Sequence, residues 1–518
     1  MPCAHSYNIS FHPPCLRASV VKVSAVNAPI VLAADAGLTA AFPLLFDGML
    51  AASQTTTTPG LVLDLMMLPR HRGPGYPAFT APLGLRRIEA ALFRAGFSAT
   101  DIAVSDDRGL SLALGPATRV IGIACGDPLG RGMNSTTMSA VAGGRPWPTV
   151  LFQRMLEKAK RFAPQASMVV GGPGAWQLAT DEAARKRLGI DHVVTGYAEA
   201  GIAATLRDLL AGATLPPVIT GQPPMTADIP TLRGAATFGA VELSRGCGWG
   251  CGFCTLAHTP MQHLSMDQVL ADVAVNQAAG LRQAALLSED AFRYGGAGRE
   301  VQPAALLALV EAVRRQLGDG PIQLDHANVA SVARWSDADL ATLYRLLSGD
   351  GSTPVWLNLG VESSDGRLLA ANGGAPKMGG VAPDEWGTTC AQQAKRLAKI
   401  GFVPFLSLVM GLPGETPEHI AADQRWIENL ADLPIAVFPM ALAPLEKPWQ
   451  GPHLRRAHWR LMQTAYRRNF RWVPWLYERQ CRAAGIPLRR RLLIQCLGLG
   501  QVWQWRMLFA WRKWRASP

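Results

Sequence analysis

Short apolar runs, each followed by a stretch with helical spacing, recur along most of this 518-residue chain, and that alternation limits its fold more than any other feature. APIVLAAD (28–35), LVLDLMML (61–68), IAVS (102–105), RVIGIAC (119–125), SMVVGG (167–172) and DHVVTG (191–196) read as strands. Helical patterns fall near 38–51, 83–95, 148–163, 176–187 and 199–211. Strands buried on both faces read as near-continuous apolar runs, so residues 29–212 are expected to form a Rossmann-like, doubly wound parallel sheet of the α/β class. A stretch with five prolines and no helical period (213–236) reads as an extended linker. A second series of six strands then begins: GAVELSRG (239–246), AALLSED (284–290), PIQLDHA (321–327), VWLNLGVE (355–362), VPFLSLVMG (403–411) and PIAVFPM (434–440). Helices are expected near 265–279, 303–317, 336–348, 386–400 and 417–431, the first behind a Ser265 cap.

The first strand of that second series runs straight into VELSRGCGWGCGFCTLAH (241–258). Cys247, Cys251 and Cys254 stand at C-x3-C-x2-C spacing. Three thiolates on one loop can hold three irons of a [4Fe–4S] cube and leave the fourth iron without a protein ligand. A structural zinc site wants four closed ligands, usually in two pairs. The chain has no second cysteine pair, and His258 alone is ill-spaced as a fourth ligand. Glycines at 246, 248, 250 and 252 suit a loop that must wrap a bulky inorganic core. The remaining six of nine cysteines are scattered, which fits a reducing compartment better than a disulfide framework.

The loop resembles that of the radical S-adenosylmethionine (SAM) enzymes, whose motif is C-x3-C-x-aromatic-C, with Phe253 at the aromatic position. The resemblance implies a partial (β/α)6, TIM-like radical SAM barrel over 237–445, with its chemistry on the loops after the strands. It also implies that the open iron chelates SAM and that SAM is cleaved to a 5′-deoxyadenosyl radical. By the same resemblance, SAM contacts are expected from Phe253, from Glu289 and Asp290 after the second strand, and from Asp325 and Asn328 after the third. Glu362, Ser363 and Ser364 look like the family's G-x-E-[ST]-x-S segment, and Gly411 and Leu412 lie in a segment that resembles its adenine-passing turn.

A Rossmann-like domain directly ahead of a radical SAM domain looks like the cobalamin-dependent class. The turns GDPLG, GGPGAW and DHVVTGYAEA resemble that class, which implies cobalamin contacts from Gly126, Asp127, Pro128, Leu129, Gly130, Gly171, Gly172, Pro173, Gly174, Gly196 and Glu199. No D-x-H-x-x-G motif occurs, so the implied cobalt has no histidine beneath it, and His192, inside a strand, reads as structural. Arg245 reads as a surface or domain-interface charge. The implied activity is a methyltransferase acting on an unactivated carbon, with a flavodoxin- or ferredoxin-like electron donor and a small-molecule substrate. Cyclisation or oxidation with the same cofactors, and a membrane-associated binding protein with a degenerate core, stand as rivals.

The net charge of +12 is local. Residues 451–518 hold fifteen Lys/Arg and one acid, whereas residues 1–450 hold thirty-five and thirty-seven. Seven of the fifteen tryptophans also lie beyond residue 450. Residues 446–518 therefore read as a basic, Trp-rich helical region, with helices at 457–480 and 492–511. The latter fits either a helix lying in a membrane interface or a packing helix with outward arginines, and Arg506 with three glutamines argues against a span. No nucleic-acid-binding module accompanies the charge. Residues 1–28 lack a basic region followed by an apolar run, so no signal peptide is expected there. They read as a disordered extension of a cytoplasmic protein, peripheral at most to the membrane.

Overall fold

In a computed structural model, residues 28–66, 76–254, 256–443 and 452–516 are described, and the expected extension over 1–28 falls almost entirely outside them. Six parallel strands form the first sheet: β1 (Ile30–Ala34), β2 (Ile102–Asp106), β3 (Val120–Ala124), β4 (Ser167–Gly171), β5 (His192–Thr195) and β6 (Val218–Thr220). Their order is β2-β1-β3-β4-β5-β6. Helices cover both faces over two separate apolar layers, as the continuous burial of β1 and β2 requires. The chain reverses direction across the sheet between β1 and β3, and ligands of such sheets bind beyond the strand ends at that point.

Two expectations in this half do not hold. LVLDLMML is not a strand over its described residues: Gly60–Met66 is a helix that buries Leu63 and exposes Leu61, and residues 67–68 lie outside the described residues. An apolar run of this length carries no usable period, and both edges of β1 are already taken by β2 and β3. The Pro-rich 213–236 segment is not wholly a linker either, because its Val218–Thr220 pairs with β5 as the sheet edge. The helix expected at 38–51 is two helices, Ala36–Thr39 and Leu45–Ala52, with Pro43 between them. That at 176–187 breaks where the Asp181 side chain caps a new start. A helix at Met133–Ala142, weak in apolar period, was not foreseen.

The second half contains β7 (Ala240–Glu242), a two-stranded ribbon of β8 (Ser244–Arg245) and β9 (Gln262–His263), then β10 (Ala284–Leu287), β11 (Ile322–Leu324), β12 (His326–Ala327), β13 (Val355–Glu362), β14 (Phe402–Met410) and β15 (Ala436–Ala441). The parallel orders are β7-β10-β11 and β12-β13-β14-β15. Since β11 and β12 are one strand interrupted at Asp325, six positions make an open arc, as the six expected units require. Ser265 caps its helix through a reciprocal pair with Gln268.

The two halves share a core. Met138 and Val141 of the first pack into the same apolar cluster as the barrel, and Thr137 Oγ1 accepts from Ala441 N at 2.8 Å. Two long C-terminal helices, Arg456–Ala483 and Leu488–Arg515, complete the fold. The first is stapled to Leu45–Ala52 by Tyr477, whose hydroxyl donates to Asp47 Oδ1 at 2.5 Å.

Candidate active site

The loop after β8 carries the three cysteines, and its path is held by backbone bonds from Cys247 N to Thr259 O (3.0 Å) and from Gly250 N to Ala257 O (2.8 Å). Gly246 sits at φ +75°, and a Cβ there would overlap the Pro260 carbonyl oxygen, so only glycine serves. Gly248 and Gly250 share the positive φ; Gly252 does not, and instead lies close against Asn372 O. Beneath the loop, Trp249 donates to Asp290 Oδ2 at 3.1 Å and is flanked by the guanidinium groups of Arg293 and Arg299.

All three thiols are free and line one cavity of about 1540 Å³. Burial pushes the Cys247 thiol up to about 11, against the Trp249 backbone and Arg293, and burial likewise raises Cys251 against the pull of Lys377. Loading these thiols with metal must therefore expel protons. Among the described residues no three His, Cys, Asp or Glu side chains converge closely enough for a single ion. A cube would take each thiolate at a separate iron.

The cavity follows the inner face of the barrel. Alternate residues point inward along the strands, giving Asn358, Gly360 and Glu362 of β13, Phe405 and Ser407 of β14, and Phe438 and Met440 of β15. Glu362 has a positive φ of 65° at a bulge in the β13–β14 register. A non-glycine residue held there is strained, as functional residues often are. Its carboxylate accepts from Lys377 Nζ and from Ser407 Oγ (3.3 Å). Burial lowers the Lys377 ammonium, but the Glu362 pairing outweighs it and leaves the group raised. Across the cavity, burial raises Glu289. His326 is pulled down by burial, yet Asp325 at 2.9 Å, with Glu289, lifts it to about 9.

No protein-family model matches the chain. Among curated proteins it is 28% identical over 207 residues to tRNA-2-methylthio-N(6)-dimethylallyladenosine synthase of Dichelobacter nodosus, covering 39% of this chain and 41% of that protein. The Bordetella petrii synthase of the same name is 26% identical over 204 residues, 39% of each. The chain thus spans about two fifths of the length of the curated relatives it matches. Among solved structures it superposes on the radical SAM methyltransferase TsrM of Kitasatospora setae, solved with cobalamin and a [4Fe-4S] cluster, at a TM-score of 0.51 and 14% identity, over 81% of this chain and 77% of that one. A second TsrM structure, with tryptophan and a SAM analogue, gives 0.52. The chain has the fold of a cobalamin-dependent radical SAM enzyme.

Within that radical SAM fold the expected SAM contacts divide. Phe253, Glu289, Asn328 and Glu362 line the cavity beside the cysteines. Asp290 lies fully buried behind it, accepting from Trp249, Asn328 N and Ser331 Oγ, and supports the loop. Asp325 orients His326 and accepts from Asn358 Nδ2 at 3.3 Å. Ser363 caps the following turn through Asp365 N, and Ser364 bonds Asp423. Gly411 N donates to Glu415 Oε2 at 3.0 Å, and Leu412 is buried with Leu368 and Val409. Lys377 was missed by sequence reading. Its only signal is a lone cation between glycine pairs in GGAPKMGG, and its place at Glu362 is purely tertiary.

The expected cobalamin contacts of this radical SAM fold lie at the ends of β3, β4 and β5 but do not line the cavity. The turns close on each other: a Cβ on Gly174 would overlap the Gly126 carbonyl oxygen, and Gln177 holds both Leu129 N (2.9 Å) and Asp127 (2.5 Å). Gly130 faces Pro146, and Gly172 packs on Cys125. Gly171 continues β4, Pro173 lies between the packed glycines, and Gly196 faces open space. Glu199 is taken by Arg245 at 2.6 Å, which also pairs with Glu242, so Arg245 is the domain-interface charge expected of it. What the first domain gives the cavity comes from the segments after β1 and β3, among them Phe46, Met49, Leu50, Gln54, Asn134 and Met138. This is the switch point of the sheet, and a volume above the usual 300–1,000 Å³ leaves room for more than one ligand. His192 bonds Pro216 O at 2.9 Å and is structural, while among the described residues the histidine in the cavity lining is His326, on the barrel side.

Proposed function

We propose that this protein is a cobalamin-dependent radical SAM methyltransferase acting on an unactivated carbon, with residues 29–212 as the cobalamin domain and 237–445 as the radical SAM domain. The observation that carries it is the meeting of three free thiols, the Glu362–Lys377 pair and the switch-point segments in one cavity. When bound, the cluster, SAM and cobalamin would together supply a 5′-deoxyadenosyl radical and a transferable methyl group.

The chain's own share is placement. Cys247, Cys251 and Cys254 would hold the cube at three corners. Glu362, strained and held by Lys377, presents a carboxylate to ammonium or hydroxyl donors, which charge-assisted bonds favour. Glu289 and Asn328 line the same cavity, and Phe253 offers an apolar edge beside the cysteines. Phe46, Met49, Leu50 and Met138 would pack against the corrin, and among the described residues the first domain contributes no histidine to the cavity lining. His326, whose charged form Asp325 favours, stands in the cavity lining where it would orient an anionic group. Apolar walls on β14 and β15 exclude water from a reactive carbon centre.

Anaerobic reconstitution with iron, sulfide, cobalamin, a reductant (chemical or a flavodoxin-type donor) and methyl-labelled SAM tests the reading. Labelled product with 5′-deoxyadenosine is expected. 5′-Deoxyadenosine with unlabelled product would instead favour ring formation or oxidation. The curated relatives are named for a tRNA modification, so total tRNA belongs in the same assay, and a label appearing in RNA would replace the small-molecule substrate.

A further inference from the structure

The last helix, Leu488–Arg515, is apolar on two opposite faces. Ile494, Trp505 and Phe509 are buried against the fold. Leu488, Leu492, Leu499, Trp503, Met507 and Trp514 recur at four- and seven-residue spacings on the other side, and all are exposed, Leu499 by 65%, Trp503 by 69% and Trp514 by 77%. That spacing makes one continuous stripe. Bulky apolar patches of this extent on a protein surface mark a contact with something else.

The charge says what that something is. The helix has no acidic residue, and its seven Lys/Arg stand in two groups, Arg489–Arg491 at one end and Arg506 to Arg515 at the other. Exposed Arg479 and Arg482 continue the basic rim from the preceding helix, where Glu478 pairs with Arg482 and Arg491 and leaves the other cations in excess. A nucleic acid would use the cations but leave the leucines and methionine wet. A bilayer surface with anionic headgroups uses both, and tryptophan favours that interfacial layer. Among the described residues no helix is long and apolar enough to cross a membrane, so contact would be in the plane.

The same helix walls the cavity. Leu497 and Leu499, both exposed, are at once part of the cavity lining and part of the outer surface, and Val502, Phe470, Phe438 and Met49 line the same cavity. One cavity, its lining mainly apolar, therefore includes both the surface of this helix and the cysteine loop.

We propose that Leu488–Arg515 docks in the interface of an anionic bilayer and that the cavity takes an apolar, membrane-resident substrate through the mouth beside Leu497 and Leu499. The docking stands on the helix alone, while the substrate class rests on the methyltransferase reading.

Flotation of the full chain with phosphatidylglycerol-containing vesicles tests the docking without any cofactor. Expected are recovery with these vesicles, at least tenfold weaker recovery with pure phosphatidylcholine, and quenching of tryptophan emission by brominated lipid. Trp503→Glu with Trp514→Glu should lower recovery at least tenfold at unchanged circular dichroism. If the double variant does not fold, quenching in the parent protein still decides. Absence of both flotation and quenching overturns the docking, as does retention on total tRNA alone with the stripe variants unaffected. Flotation without 5′-deoxyadenosine formation would reject the methyltransferase reading and leave the docking intact. Turnover of a water-soluble substrate by protein that does not float would reject the docking and substrate class alone.

Discussion

Both halves of the molecule end parallel strands in glycine-rich turns, yet the glycines do different work. After β8 they let a loop turn three thiols into a cavity, where the thiols stand free. After β3 and β4 they let two turns close on each other, with Gly174 against Gly126. Glycine at a strand end therefore reports a tight backbone, and only the neighbouring side chains tell whether a ligand is involved.

Substitutions can break this contrast, and the largest effect belongs on the barrel side. Cys251→Ala should leave the fold intact but abolish a stable [4Fe–4S] content, read by iron and sulfide analysis and by loss of 5′-deoxyadenosine. Lys377→Met strands the Glu362 carboxylate inside the cavity and should cost about 3–5 kcal/mol, seen in chemical denaturation. Adding Glu362→Gln should recover much of that stability without restoring SAM binding by calorimetry.

On the sheet side the effects should touch stability and not chemistry. Burial raises Asp35, at the end of β1, to about 7. Between its unfolded value of 3.8 and about 7 the folded state holds a proton that the unfolded chain has lost. Its stability contribution is therefore present below 3.8 and lost as pH rises to about 7. Asp35→Asn keeps an acceptor for Gly37 N and Leu38 N and should stabilise by roughly 2–4 kcal/mol at pH 8, with the gain vanishing near pH 4. Gly174→Ala should cost about 1–3 kcal/mol through overpacking of the two turns. Gly196→Ala, at φ +75° but facing open space, should cost only about 1 kcal/mol. If Gly174→Ala instead abolished cobalamin binding at unchanged stability, the two glycine roles would not differ.

The strands were legible because buried parallel strands leave unbroken apolar runs, and β13 fell where the VWLNLGVE run placed it. LVLDLMML misled for the same reason, since the run says buried without saying which element. The three-residue β6 hid among prolines because an edge strand needs only one neighbour. At the site, the cysteines were legible because chemistry fixes their spacing. Lys377 was not, because it reaches Glu362 from a turn fifteen residues away that the fold alone brings round. Asp290 and Ser364 sat at the right strand ends but serve the loop and Asp423, a distinction set by side-chain direction.

The central claim is that three thiols leave one iron of a cube open to SAM. Electron paramagnetic resonance of the reduced, reconstituted protein with and without SAM addresses it directly. The account predicts a [4Fe–4S]⁺ signal whose g-values shift when SAM is added, and loss of that signal in Cys251→Ala. A signal indifferent to SAM, or one that survives the substitution, would contradict it.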